Sequence, residues 1–212
     1  RDYWICSGYG DILSSPSASF NSLQDYLHSR PSCEYWCIAN IGAEDEGNII
    51  AEAIRNRVAI AVCDGSFKDA YGTAAWVLEG DTSKGRIVGR VIAPGNSSDH
   101  SAYRSELSGI LAVMVMVKNL CSYHNITEGS VELACDGLSA IDKAFSYVSL
   151  LHIDEPNFDI IAAIKHQWQY SFILWKVRHV RGHQDKHTEI NNLDRWSWLN
   201  VEMDQLVKAY ID

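Results

Sequence analysis

Apolar and polar positions change their rhythm near residue 57. From residue 58 the pattern is sharp. Val58-Ala59-Ile60-Ala61-Val62-Cys63 is an unbroken apolar run of the length that a fully buried strand needs, and Asp64-Gly65-Ser66 predicts a turn that stops it. Residues 73–78 and 86–93 predict two more strands, separated by Gly, Asp and Ser, so three antiparallel strands in a meander are expected. Residues 94–100 predict a loop and Ser101 a helix cap. Leu107, Ile110, Leu111, Met114 and Val117 then recur at helical spacing in a helix running to about residue 123. Residues 130–135 predict a fourth strand, again ended by Asp-Gly, and 138–147 a helix. After Pro156 a second helix places Ile160, Ile161, Ile164 and Trp168 on one face. Residues 172–180, dense in aromatic and β-branched side chains, predict a fifth strand, and 193–210 a terminal helix. The order βββαβααβα describes a mixed sheet with helices on both faces.

The first 57 residues are less regular. Residues 1–21 are rich in Ser, Gly and aromatics without a sustained period. Residues 22–30 predict a short helix stopped by Pro31, 34–41 a strand, 43–47 an acidic turn and 49–57 another helix. We read 1–57 as an N-terminal extension or connector and 58–212 as the main domain. Arg1, rather than Met, opens the chain, which is expected to be a piece of something longer.

Composition narrows the class. With 47% apolar and 21% charged residues the chain has the balance of a globular protein. Its apolar runs fall short of the roughly 20 residues that span a bilayer, so no membrane role is expected. The six cysteines show no CxxC pair and no zinc-finger spacing, and they are read as reduced thiols of an intracellular protein. The net charge of −9 matters more. A protein that grips nucleic acid unaided is usually basic, so either nucleic acid is not the ligand, or a partner supplies grip while metals offset local negative charge.

The candidate chemistry lies in carboxylates. Cys63-Asp64-Gly65 and Cys135-Asp136-Gly137 end two strands with the same word. Taken singly, Asp-Gly after a strand is a turn; if the two strands are parallel neighbours, both acids sit at carboxyl ends, where open α/β sheets place ligands. Glu106 lies in the second turn of the long helix and Asp204 among apolar residues of the last one. Each alone reads as an ordinary helix acid; all four together do not.

These residues carry a resemblance. Asp64-Gly65-Ser66, Tyr103-Arg104-Ser105-Glu106-Leu107, Asp136, Arg181-Gly182-His183 and Asn200-Val201-Glu202-Met203-Asp204, in this order and placement, resemble the ribonuclease H family. The wording is closest to the ribonuclease H domains of retroelement reverse transcriptases, and the likeness covers residues 58–210. It implies an α/β ribonuclease H-like fold, with the five predicted strands in spatial order 3-2-1-4-5. It implies two Mg²⁺ ions per site, with Mn²⁺ as a substitute, held by Asp64, Glu106, Asp136 and Asp204. Asp64 would bridge both ions, Asp204 would serve the nucleophile side, and Glu106 and Asp136 the leaving-group side. His183 would help activate water or release product. Gly65, Ser66, Tyr103 and Arg104 would contact the nucleic acid and read its 2′-hydroxyls. The implied partners are an RNA–DNA hybrid and a reverse transcriptase polymerase domain, in cis or in trans.

The chain departs from the family at residues 146–155, where many cellular members carry a basic helix and loop. Here that stretch has no Lys or Arg and two acids, Asp154 and Glu155. Three rival readings remain at this stage. One is a nuclease of the same fold acting on DNA, resolvase- or exonuclease-like. Another is a non-catalytic tether domain of a reverse transcriptase. The third is a binding module that docks through residues 1–57.

Overall fold

The computed structural model describes residues 20–82, 84–146 and 151–210. The expectations for residues 1–19, and for 147–150 within the acidic stretch, lie outside them. Among the described residues six strands form one sheet: β1 (Ile41–Ala43), β2 (Ala59–Lys68), β3 (Tyr71–Glu79), β4 (Ile87–Ile92), β5 (Ser130–Cys135) and β6 (Leu174–His179). Their spatial order is β1-β4-β3-β2-β5-β6, antiparallel from β1 to β2 and parallel from β2 to β6. The last five are the expected strands in the expected 3-2-1-4-5 order. The sixth, β1, joins the β4 edge over only three residues, too short for a hydrophobic period to reveal it.

Among the described residues seven α-helices surround the sheet: α1 (Leu23–His28), α2 (Ser32–Ile38), α3 (Asn48–Arg55), α4 (Ala102–Tyr123), α5 (Leu138–Phe145), α6 (Phe158–Gln169) and α7 (Arg195–Lys208). Helix α2 corrects the strand expected at 34–41. Pro31 opens the helix, and the buried positions Glu34, Cys37 and Ile38 fall at helical i, i+3, i+4 spacing. Glu34 is tolerated there because Lys118 Nζ lies 2.6 Å from its carboxylate. The described part of the N-terminal segment packs into the main core, where Leu23, Leu27, Ile38, Ile50 and Ile54 are each at most 2% exposed.

Strand β2 brings a second correction. Asp64-Gly65-Ser66 is not a turn; the strand continues through it to Lys68, paired residue by residue with β3. The reversal comes at Asp69-Ala70, whose φ values of +51° and +67° make the tight two-residue hairpin loop that matches strand twist. Strand β5 does stop at Cys135, so the parallel pairing with β2 ends at Cys63↔Cys135. Beyond that point β2 runs on alone on this side, and the gap beside Asp64 is where Asp136 emerges.

Helix α4 crosses one face of β2 and β3, and α7 covers the other. Ser101 caps α4, its hydroxyl accepting from the Arg104 N–H at 3.0 Å. By length and composition α4 could cross a membrane, which short apolar runs did not foretell, but 83% of its most apolar window is buried inside the protein. Its apolarity is that of a helix covered on several sides.

Candidate metal centre at the carboxyl ends of β2 and β5

Four elements bring four acids to one place. Asp64 comes from the free half of β2, Asp136 from the residue after β5, Glu106 from the second turn of α4, and Asp204 from the third turn of α7. Close backbone approach makes this possible. A Cβ on Gly65 would stand 2.5 Å from the Glu106 nitrogen and 2.6 Å from the Ser105 carbonyl carbon, so only glycine lets α4 lie on β2 here. The Ser105 hydroxyl donates to the Ser66 carbonyl at 2.9 Å and fixes the same junction. At the opposite wall a Cβ on Gly182 would fall 2.3 Å from Asp136 Oδ2.

The electrostatics are those of crowded carboxylates. Asp64 is 5% exposed. Burial first, then Asp136 and Asp204, raise its pKa to about 8, and it shares a hydrogen bond with Asp136. Asp136 is also raised, mainly by burial, with the Asp64 hydrogen bond and nearby His183 pulling it back. Glu106 is pushed well above the usual carboxylate range by burial, then by Cys135, Asp64 and Asp136. Asp204 faces Lys208 Nζ at 2.6 Å and His183 Nδ1 at 3.8 Å.

Such a set, in which Lys208 offsets only Asp204, is what a hard divalent ion neutralises. Donor atoms of Glu106, Cys135 and Asp136 lie within 4.8 Å of one another. Carboxylate oxygens suit Mg²⁺ or Mn²⁺, so the residues fit the ions that the resemblance implies. Cys135 is the member that sequence reasoning missed: its thiol donates to Glu106 Oε2 at 3.0 Å. The signal was present in the repeated Cys-Asp-Gly word, whose cysteines sit side by side across β2 and β5.

The remaining candidates separate. His183, at φ +54° and half-exposed, stands beside Asp204. Gly65 and Ser66 line the α4 junction. Tyr103 is partly buried against the core. Arg104 is only 4% exposed. Its guanidinium donates to both carboxylate oxygens of Asp159 (3.0 and 2.6 Å), to Asn157 Oδ1 (3.0 Å) and to the Pro94 carbonyl (2.6 Å). That side chain ties α4 to α6 and its guanidinium is taken up within the protein, contrary to its expected role in nucleic-acid contact.

No protein-family model and no curated protein matches the chain. Among solved structures it is similar to ribonuclease H1 of the halophilic archaeon Halobacterium salinarum, at 13% identity and TM-score 0.42, covering 62% of this chain and 91% of that one. It is also similar to the protease–reverse transcriptase of prototype foamy virus (16%, TM-score 0.44), covering 72% of this chain but 20% of that one. LC11-RNase H1 in complex with an RNA/DNA hybrid gives 12% and TM-score 0.45, over 73% of this chain and 99% of that one. The functional reading rests on the site's own geometry.

Proposed function

We propose that this chain is a metal-dependent endonuclease that hydrolyses the RNA strand of RNA–DNA hybrids, as the ribonuclease H domain of a retroelement polyprotein. The observation that carries this reading is the convergence of Asp64, Glu106, Asp136 and Asp204 from four elements around the buried Asp64 carboxylate, where the acids raise one another's pKa. When bound, two divalent ions would supply an activated water and charge neutralisation at the scissile phosphate. Asp64, at the centre, and Asp136, hydrogen-bonded to it, would hold them, with Glu106 and Asp204 on the flanks.

The protein's own residues have separable tasks. The Cys135 thiol and the walls at Gly65 and Gly182 fix where the carboxylates point. His183, half-exposed beside Asp204, would take up or deliver a proton as water attacks and the 3′-oxygen leaves. Specificity for RNA falls to the Gly65–Ser66 backbone and Tyr103, since Arg104 is committed to Asp159.

Cleavage of end-labelled RNA in a hybrid tests the reading, with Mg²⁺ or Mn²⁺, single- and double-stranded controls, and Asp64→Asn. Cutting confined to the hybrid and lost in the variant is the expected result. Cutting of DNA instead would establish a nuclease of the resolvase kind. No cutting at millimolar Mn²⁺, alone or beside a polymerase partner, would leave a tether domain.

A further inference from the structure

The chain carries −9 overall, yet its charges are not evenly spread. Residues 174–187 hold Lys176, Arg178, Arg181 and Lys186 against one acid, Asp185, a local +3 that leaves −12 for the rest. Elsewhere Arg86, Arg104, Lys118, Lys143 and Lys208 each face a carboxylate. On the β6 stretch Arg178 is likewise occupied, 2.7 Å from Glu132 and stacked 4.7 Å over Trp196. Lys176, Arg181 and Lys186 are different. All three are exposed, and none makes an ion pair among the described residues.

Their position adds to this. Strand β6 is the edge of the sheet, and its carboxyl end abuts the acidic cluster. The His179 Nε2 lies 3.1 Å from the Asp136 carbonyl oxygen, and Gly182 packs on the Asp136 carboxylate. Arg181 sits between those two contacts, and Lys186 follows in the loop that carries His183. From Lys176 to His179 the strand rises about 10 Å, the axial rise of about three nucleotides of one strand in a duplex. Four clustered carboxylates repel a phosphate backbone, so a polyanion reaching them needs positive charge close by.

We propose that Lys176, Arg181 and Lys186 form a phosphate track along the β6 edge that leads the substrate backbone to Asp136. This rests on the nuclease reading for the identity of the polyanion. It supplies, on a different face, part of the grip that residues 146–155 lack in basic side chains.

The test uses the full chain with Asp64→Asn, so that the strand stays whole, and a fluorescent RNA–DNA hybrid titrated across salt concentrations. Each lost phosphate contact lowers the slope of log K against log salt by about 0.9. Lys176→Gln, Arg181→Gln and Lys186→Gln together should flatten the slope by about two to three and weaken binding about ten-fold or more. Arg57→Gln with Lys84→Gln, at the far end of the sheet, is the control. Cooperative melting of each variant, and the three single variants, guard against misfolding. Affinity and slope unchanged by the triple substitution, or changed equally by the control, would overturn the track, as would absence of hybrid binding by the parent chain. The two readings part cleanly: track-dependent binding without cleavage by the wild-type chain, alone or beside a polymerase partner, supports the track and removes the nuclease, whereas cleavage with track-independent binding does the reverse.

Discussion

Asp64 is the residue where burial and charge conflict most. Its folded pKa of about 8 lies far above the roughly 3.9 of an unfolded Asp. The folded chain therefore holds the extra proton between about pH 4 and 8. Stability from this group is greatest below that window and falls as pH rises through it, with the penalty complete above about 8. Asp64→Asn removes the titrating group. In chelator, the variant should melt higher than wild type at pH 8, and the difference should shrink steadily as pH falls toward 4. Adding Mg²⁺ should raise the wild-type Tm more at pH 8 than at pH 6 and leave the variant almost unmoved. Calorimetry at these pH values checks it; a variant that melts lower than wild type at pH 8 would remove the argument that the cluster is strained without cation. A second residue-scale prediction concerns Gly65. Its missing Cβ leaves room for backbone, not for a flexible side-chain tip, so Gly65→Ala forces α4 away from β2. We expect a loss of about 1–3 kcal/mol in urea unfolding, with weaker Mn²⁺ binding because Glu106 moves with the helix.

Whole elements show what the sequence could and could not convey. The last five strands and α4 to α7 were legible because each repeats its period over six or more residues and ends at a cap or turn. The four carboxylates were legible as an ordered set. What failed was local: α2 is seven residues long, and its aromatic and cysteine content imitates a strand until the i, i+3, i+4 stripe is seen buried. The Asp-Gly word after Cys63 also misled, because pairing with β3 overrides turn propensity through to Lys68. Arg104 failed for another reason. A basic residue two positions from a catalytic candidate invites a ligand role, and nothing local announces Asp159, which lies 55 residues away. The structure makes it a clamp between α4 and α6. Arg104→Gln should cost about 1–3 kcal/mol, toward the low end because Asp159 is largely solvated. If cleavage falls, it should fall in step with the folded fraction. A rise in KM for hybrid at unchanged stability would instead restore Arg104 as a substrate contact.

At the scale of the molecule the question is whether residues 20–57 are an appendage of the sheet or part of what folds it. Leu23, Leu27, Cys37, Ile38, Ile50 and Ile54 are each at most 2% exposed, in the same cluster as Trp76, Ile110 and Leu120. Full burial of each large apolar side chain contributes about 1.5–3 kcal/mol. Their sum is comparable with the whole stability of a domain, about 5–15 kcal/mol. Glu34 also meets Lys118 and Asn119 on α4, and β1 covers the β4 edge, whose exposure would otherwise invite strand pairing between chains. A chain of residues 58–212 should therefore lose cooperative melting and aggregate through β4, even though it retains all four carboxylates. Mg²⁺ should not rescue it, because the cation binds a site whose α4 scaffold depends on this packing. Near-UV circular dichroism and sedimentation of the truncated chain check this. A sharp transition within a few degrees of the intact chain would show that residues 58–212 fold alone and that the N-terminal segment docks on a finished core.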